Sequence, residues 1–103
     1  HGAEAFGVCL VDLADPDGRR LAVALHEASP HGPDPATLAA QRPRARWCRS
    51  ASLAVLRPVV AAVLGAEMGA AVAAAAAAGA VPVVIVVERE AAVGAFARPG
   101  RAS

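Results

Sequence analysis

A single carboxylate, Glu67, interrupts an otherwise uncharged run of thirty residues, PVVAAVLGAEMGAAVAAAAAAGAVPVVIVV, from position 58 to position 87. A carboxylate on an apolar stripe must be paired, protonated or turned toward a cavity or partner, because a dry and unpaired site is costly. Glu67 is therefore a candidate acid/base group, an ion-pair partner for Arg57 or an arginine of the basic segment, or a contact at a subunit seam. His26, Glu27 and His31 form a second group, and Cys48 could approach it in space. Histidine with cysteine supplies a nucleophile and its base, or ligands for a metal or haem. An enzyme built from these parts would use Glu67 or His26 as acid/base and Cys48 as nucleophile. No zinc-type His/Cys spacing accompanies them, so no metal site is assigned, and neither a phosphate-binding glycine loop nor a G-x-S-x-G elbow is present.

The third group is RPRARWCR, residues 42–49, where Arg42, Arg44, Arg46 and Arg49 surround Trp47. Guanidinium groups beside an indole suit phosphate contact combined with stacking, so these five residues are the candidate ligand- or partner-binding set. Charge is concentrated there: residues 42–57 hold five arginines and no acid, while residues 1–35 hold six acids against Arg19 and Arg20. The net charge of only +1 argues against a dedicated nucleic-acid protein.

These groups must be positioned by a small framework. At 103 residues and 56 % apolar, the chain fits a single domain, 1–103. Phe6, Phe96 and Trp47 are its only aromatic residues, so the core is expected to be thin and to depend on close backbone approach, with a self-associating surface completing it. Two cysteines, Cys9 and Cys48, permit one disulfide but make no framework, and a reducing, cytoplasmic compartment is the expectation.

FGVCLVDL and RRLAVALHE flank Asp15-Pro16-Asp17-Gly18, which suits a type I turn closed by glycine, so the chain is expected to open with a β-hairpin. Phe6, Val8, Leu10, Leu21, Val23 and Leu25 would then share one face. Gly7, Cys9, Val11, Ala22, Ala24 and His26 would share the other, whose small residues admit a close helix. Residues 34–50 read as a proline- and arginine-rich connection. Within it Asp34 caps a short helix opened by Pro35 and running through Thr37, Leu38 and Ala40, which Pro43 ends or bends.

Pro58 fits the first turn of the next helix, or a kink in one that begins after Ser52, and the helix is read on to Ala78. At about 100° per residue Val60, Val63, Leu64, Met68 and Val72 line one side, with Glu67 at its centre. Gly65-x-x-x-Gly69 suits close helix packing. The segment is long enough to span a membrane, but alanine contributes little to insertion and the central carboxylate costs ~3 kcal/mol, so it is read as lying on the sheet. Gly79 ends it. VPVVIVV is a strand apolar on both faces and hence central. EREAAVGAFARPG gives a tight turn at Glu88 to Glu90 and then a strand over 92–97, in preference to a short terminal helix, and 98–103 reads as a frayed tail.

CLVDLADPDGRRLAVAL followed by GAVPVVIVVEREAAVGAFARPG resembles the GlcG/HbpS-like family, also found as the C-terminal domain of PduO-type proteins and often labelled haem-degrading. There a first hairpin is built on VVD-x-G-G-x-L-v-A, and a later GGVPI strand runs into dG-x-v-v-GA-i-GvSG at a similar separation. The resemblance implies a small α/β sandwich that assembles as oligomers and binds small ligands. Haem ligation in that family belongs to regions without a counterpart here, so no haem-binding residue and no cofactor carries over.

The expected fold is α/β in the α+β sense: a small, mostly antiparallel sheet with an N-terminal hairpin, covered on one face by a long alanine-rich helix. The expected function is an oligomeric domain that binds a small ligand or a partner protein and performs no catalysis. The enzyme described above and an anion- or nucleic-acid-binding surface at Arg42 to Arg49 are the competing expectations.

Overall fold

Asp15-Pro16-Asp17-Gly18 opens a helix instead of turning a hairpin. In the computed structural model, which describes residues 5–97, strand β1 (Phe6–Asp12) leads into helix α1 (Pro16–Ala28). Asp15 is the N-cap: its Oδ1 accepts from the Asp17 and Gly18 amides at 2.9 and 3.1 Å. Pro16 follows in the first turn, where its missing N–H costs nothing. Gly18, Leu21, Ala22 and Leu25 are the buried residues of α1, a helical spacing hidden inside a sequence that also alternates like a strand.

The connection that follows holds helix α2 (Pro35–Gln41), capped by Asp34 and stopped at Arg42, as the sequence predicts. Residues 46–50, expected to belong to the connection, instead lie in strand β2 (Arg46–Ser52), which pairs with β1 and runs without a loop into helix α3 (Leu53–Leu64). Helix α3 begins after Ser52 and contains Pro58. Both Pro58 and Ala54, whose carbonyl loses its partner to the proline, are exposed to water. The expected long alanine-rich helix is two helices. Gly65, at φ 108° and ψ 159°, ends α3 and starts α4 (Ala66–Ala77). Gly79 (φ 82°) follows the second helix, and strands β3 (Ala80–Val87) and β4 (Glu90–Ala97) form the hairpin anticipated near the C-terminus. Its turn holds Glu88 and Arg89 at φ 54° and 69°. The tail read as frayed, 98–103, lies outside the described residues.

The fold is α+β. Among the described residues four strands form one sheet in the order β2-β1-β3-β4, with β1–β2 and β3–β4 antiparallel and β1–β3 parallel. The first strand's antiparallel partner is thus β2, with Cys9 opposite Arg49 and Val11 opposite Trp47, and residues 19–27 lie in α1. Gly7, Cys9 and Val11 face the helices, as the small-residue face of β1 should. A Cβ on Gly7 would stand 2.5 Å from Leu56 Cδ2. Val84, Val86 and Trp47 join them beneath Leu21, Leu25, Leu56, Val60 and Val72, each at most 2 % exposed. No helix among the described residues is long and apolar enough to cross a membrane.

Candidate functional site

Glu67 is exposed. The positive-φ break at Gly65 restarts the helical phase, so α4 presents Gly69 and Val72 to the core, and Glu67 falls about 160° from Gly69. The expectation of a carboxylate at the apolar seam is corrected accordingly. In the first turn of α4, Glu67 meets the positive end of the helix dipole, which is where a solvated carboxylate is favourable.

The proposed acid/base and nucleophile set is not brought together. His26 lies in the last turn of α1, on the helix-covered side of the sheet. Cys48 is exposed on the opposite face, because its neighbour Arg49 pairs with inward-facing Cys9. The sheet therefore separates Cys48 from both His26 and Glu67. Glu27 and His31 are exposed. No group of three or more His, Cys, Asp or Glu side chains arranged to hold a metal occurs among the described residues. Cys9 and Cys48 are both free thiols pointing to opposite faces, and burial pushes the Cys9 thiol up to about 12, with Cys48 adding to the shift and Arg49 opposing it.

The arginine set divides. Arg42, Arg44 and Arg46 are exposed, and residues 42–45 line an open depression of about 380 Å³. Trp47 is 2 % exposed and donates its indole N–H to the Pro33 carbonyl at 3.0 Å. Its ring is a core element, so the stacking role expected of it is corrected. Arg49 is half-buried on the covered face, where one guanidinium nitrogen donates to the Ser29 hydroxyl at 2.8 Å beneath the C-terminus of α1 and a second has no partner among the described residues. A cation there meets the negative end of α1, so Arg49 serves the fold and not the arginine surface.

At the end of the sheet where β1 and β3 finish, Asp15 does more than cap α1. Its Oδ2 accepts from the Arg89 amide at 2.8 Å, which ties the β3–β4 turn to the start of the helix. Asp15 is 7 % exposed with three amides on its carboxylate, and it lies in the open depression that Asp12, Glu88 and Arg89 also line. Sequence reasoning gave it only a turn role.

The other side of the sheet has no covering layer among the described residues. Val8 and Leu10 of β1 stand beside Val83 and Ile85 of β3, all half-buried by their sheet neighbours alone. Phe96, 58 % exposed, leans over Gly94 on β4. Serines 50 and 52 and Cys48 edge this apolar centre along β2, and Arg46, Asp12 and Glu90 edge it at one end. A signal for it was in the sequence. VPVVIVV is apolar at every position, which fits a strand covered on both faces, while the described helices lie on one.

No protein-family model, curated protein or solved structure matches the chain.

Proposed function

We propose that this chain is a non-enzymatic binding domain that docks another protein through the open face of its sheet. What supports the reading is the patch formed by Val8, Leu10, Val83 and Ile85, extended by Phe96 and rimmed by polar residues on two sides. An exposed apolar centre with a polar rim is the pattern of a protein-contact surface, and a sheet apolar on both faces is stable in water when both are covered. The family resemblance points the same way, toward an oligomeric binder, although its first motif here forms a strand and a helix. A photoreactive residue at position 10 or 85 should give a protein adduct, and one at exposed Ala62 on α3 should not. Equal adducts from all three positions, or none, would remove the reading.

The exposed arginines favour a second reading, in which Arg42, Arg44 and Arg46 contact an anionic group by charge alone, without the stacking that Trp47 was expected to add. Such binding weakens steeply with salt. Titration of a fluorescent single-stranded oligonucleotide between about 50 and 200 mM salt tests it, and binding that is absent, salt-insensitive or unchanged in an Arg42/Arg44/Arg46→Ala variant excludes it.

A further inference from the structure

We propose that the open sheet face is covered by the same face of a second copy of this chain, the two related by a twofold axis parallel to the strands. The proposal rests on reading that face as the docking surface, and it names the partner.

The charged residues select both the partner and the axis. Pairing of Asp12 with Arg46 and of Val87 with Glu90, together with Val11 beside Val86, puts Arg46, Asp12, Val87 and Glu90 in one row across the sheet. Arg46 is at the β2 edge and Glu90 at the β4 edge. The row at the other end carries Ser52, Phe6 and Phe96 and no charge. A twofold axis along the strands, passing between β1 and β3, lays β2 of one copy over β4 of the other and keeps the rows level. Arg46 then lies opposite Glu90 of the second copy, and the symmetry makes that pair twice.

The apolar centre is matched by the same operation: Leu10 lies over Ile85 and Val8 over Val83 of the second copy, while Cys48 covers the small Ala92. Packing face to face leaves about 10 Å between the layers, which these branched side chains fill from both sides. A twofold axis across the strands would instead set the row of Arg46, Asp12 and Glu90 against Phe6 and Phe96, burying charge on apolar surface. The distribution of charge on this chain therefore disfavours the alternative and makes the first arrangement self-complementary.

Four strands at about 4.8 Å spacing and seven residues at about 3.3 Å rise project roughly 20 by 23 Å. That footprint, roughly 460 Å², is well short of the ~800 Å² that each partner contributes to a standard interface, so the dimer should be weak and reversible and not obligate.

Sedimentation equilibrium of the full chain from about 1 to 200 μM reads this directly, with folding checked by circular dichroism. Arg46 and Glu90 are exposed in one copy, so their reversal should not disturb the fold. The wild-type chain should dimerise, Arg46→Glu and Glu90→Arg should each raise Kd at least tenfold, and the double reversal should return it to within about threefold. Ile85→Asp should leave monomer. A double reversal no better than the singles overturns the proposed axis. A wild-type chain that stays monomeric to 200 μM overturns self-association, and the position 10 and 85 adducts then tell whether the face still docks a different protein. A dimer untouched by Ile85→Asp would place the contact elsewhere, at the free β4 edge for example, and would sink the docking-surface reading along with this one.

Discussion

Cys9 and Asp15 show how one side chain sets a condition for the whole fold. Cys9 is fully buried and its thiol is pushed from the usual 9.0 up to about 12, chiefly by loss of water. The folded state therefore holds the proton through a pH range in which the unfolded chain releases it. Stability contributed this way is intact below about pH 9 and is lost as pH rises toward 12, at up to ~1.4 kcal/mol per pH unit. The sequence has neither lysine nor tyrosine, so no ammonium or phenol side chain titrates in this alkaline window. Urea unfolding under reducing conditions should lose about 2 kcal/mol between pH 8 and 10.5, a slope that Cys9→Ala abolishes and Cys48→Ser keeps. Asp15 acts through three amides. Asp15→Ala removes a helix cap, worth about 0.5 to 2 kcal/mol, and strips the Arg89 amide of its acceptor, for about 1 to 3 more. Denaturant unfolding should show a loss of about 2 to 4 kcal/mol, with faster hydrogen exchange at Arg89 as well as Gly18, which a cap acting on α1 alone would not produce.

At the scale of elements, the sequence was legible where local chemistry and tertiary packing agree. Asp34 and Pro35 start α2, Gly79 closes α4, and β3 and β4 form the expected hairpin. It misled where one signal has two meanings. The type I turn of Asp15 to Gly18 is also the first turn of a helix, and LAVAL alternates like a strand while Gly18, Leu21, Ala22 and Leu25 repeat like a helix. Burial against β1 and β3 settles the choice: Gly18 packs so close that a Cβ there would meet the Asp12 carbonyl at 2.6 Å and the Val86 carbonyl at 3.4 Å. The same limit applies to Glu67, since a continuous helical phase puts it inward and the break at Gly65 turns it out. That break is a testable device. Nothing lies within 4 Å of a Cβ on Gly65, yet its φ of 108° belongs to glycine, so Gly65→Ala should cost about 1 to 3 kcal/mol through backbone strain alone. Gly69→Ala fails for the opposite reason. Its backbone is helical, but the added methyl would lie 2.7 Å from Ala61 Cβ and 3.2 Å from its Cα, pushing α4 off α3 at a cost of about 1 to 3 kcal/mol. Thermal unfolding of both variants, with crystal structures, should show α3 and α4 straightened or strained at the break in the first and separated in the second.

For the whole molecule, the deciding property is that helices lie on one side of a sheet that is apolar on two. The candidate site was hard to read for this reason: the sequence marks chemistry by residue type, at Glu67, Cys48 and the arginines, whereas the open face is made of valine, leucine and isoleucine that look like any core. Only topology separates the two populations. Val83 and Val84 are adjacent and chemically identical, but Val84 is 0 % exposed beneath the helices and Val83 is half-buried on the open side. Val84→Ala should cost about 2 to 3 kcal/mol at every protein concentration, because it leaves a cavity in a core with few large side chains. Val83→Ala should cost less than about 1 kcal/mol at low micromolar protein, where one copy stands alone and water fills the vacated space. As concentration rises, the wild-type chain gains stability by mass action from its second copy, and Val83→Ala gains less, because Val83 faces Val8 across the twofold axis. Denaturant midpoints of the two variants and the wild type, measured over a hundredfold range of concentration, should therefore diverge for Val83→Ala and run parallel for Val84→Ala. Parallel lines for both would mean that the outer face gains no cover as the protein is concentrated.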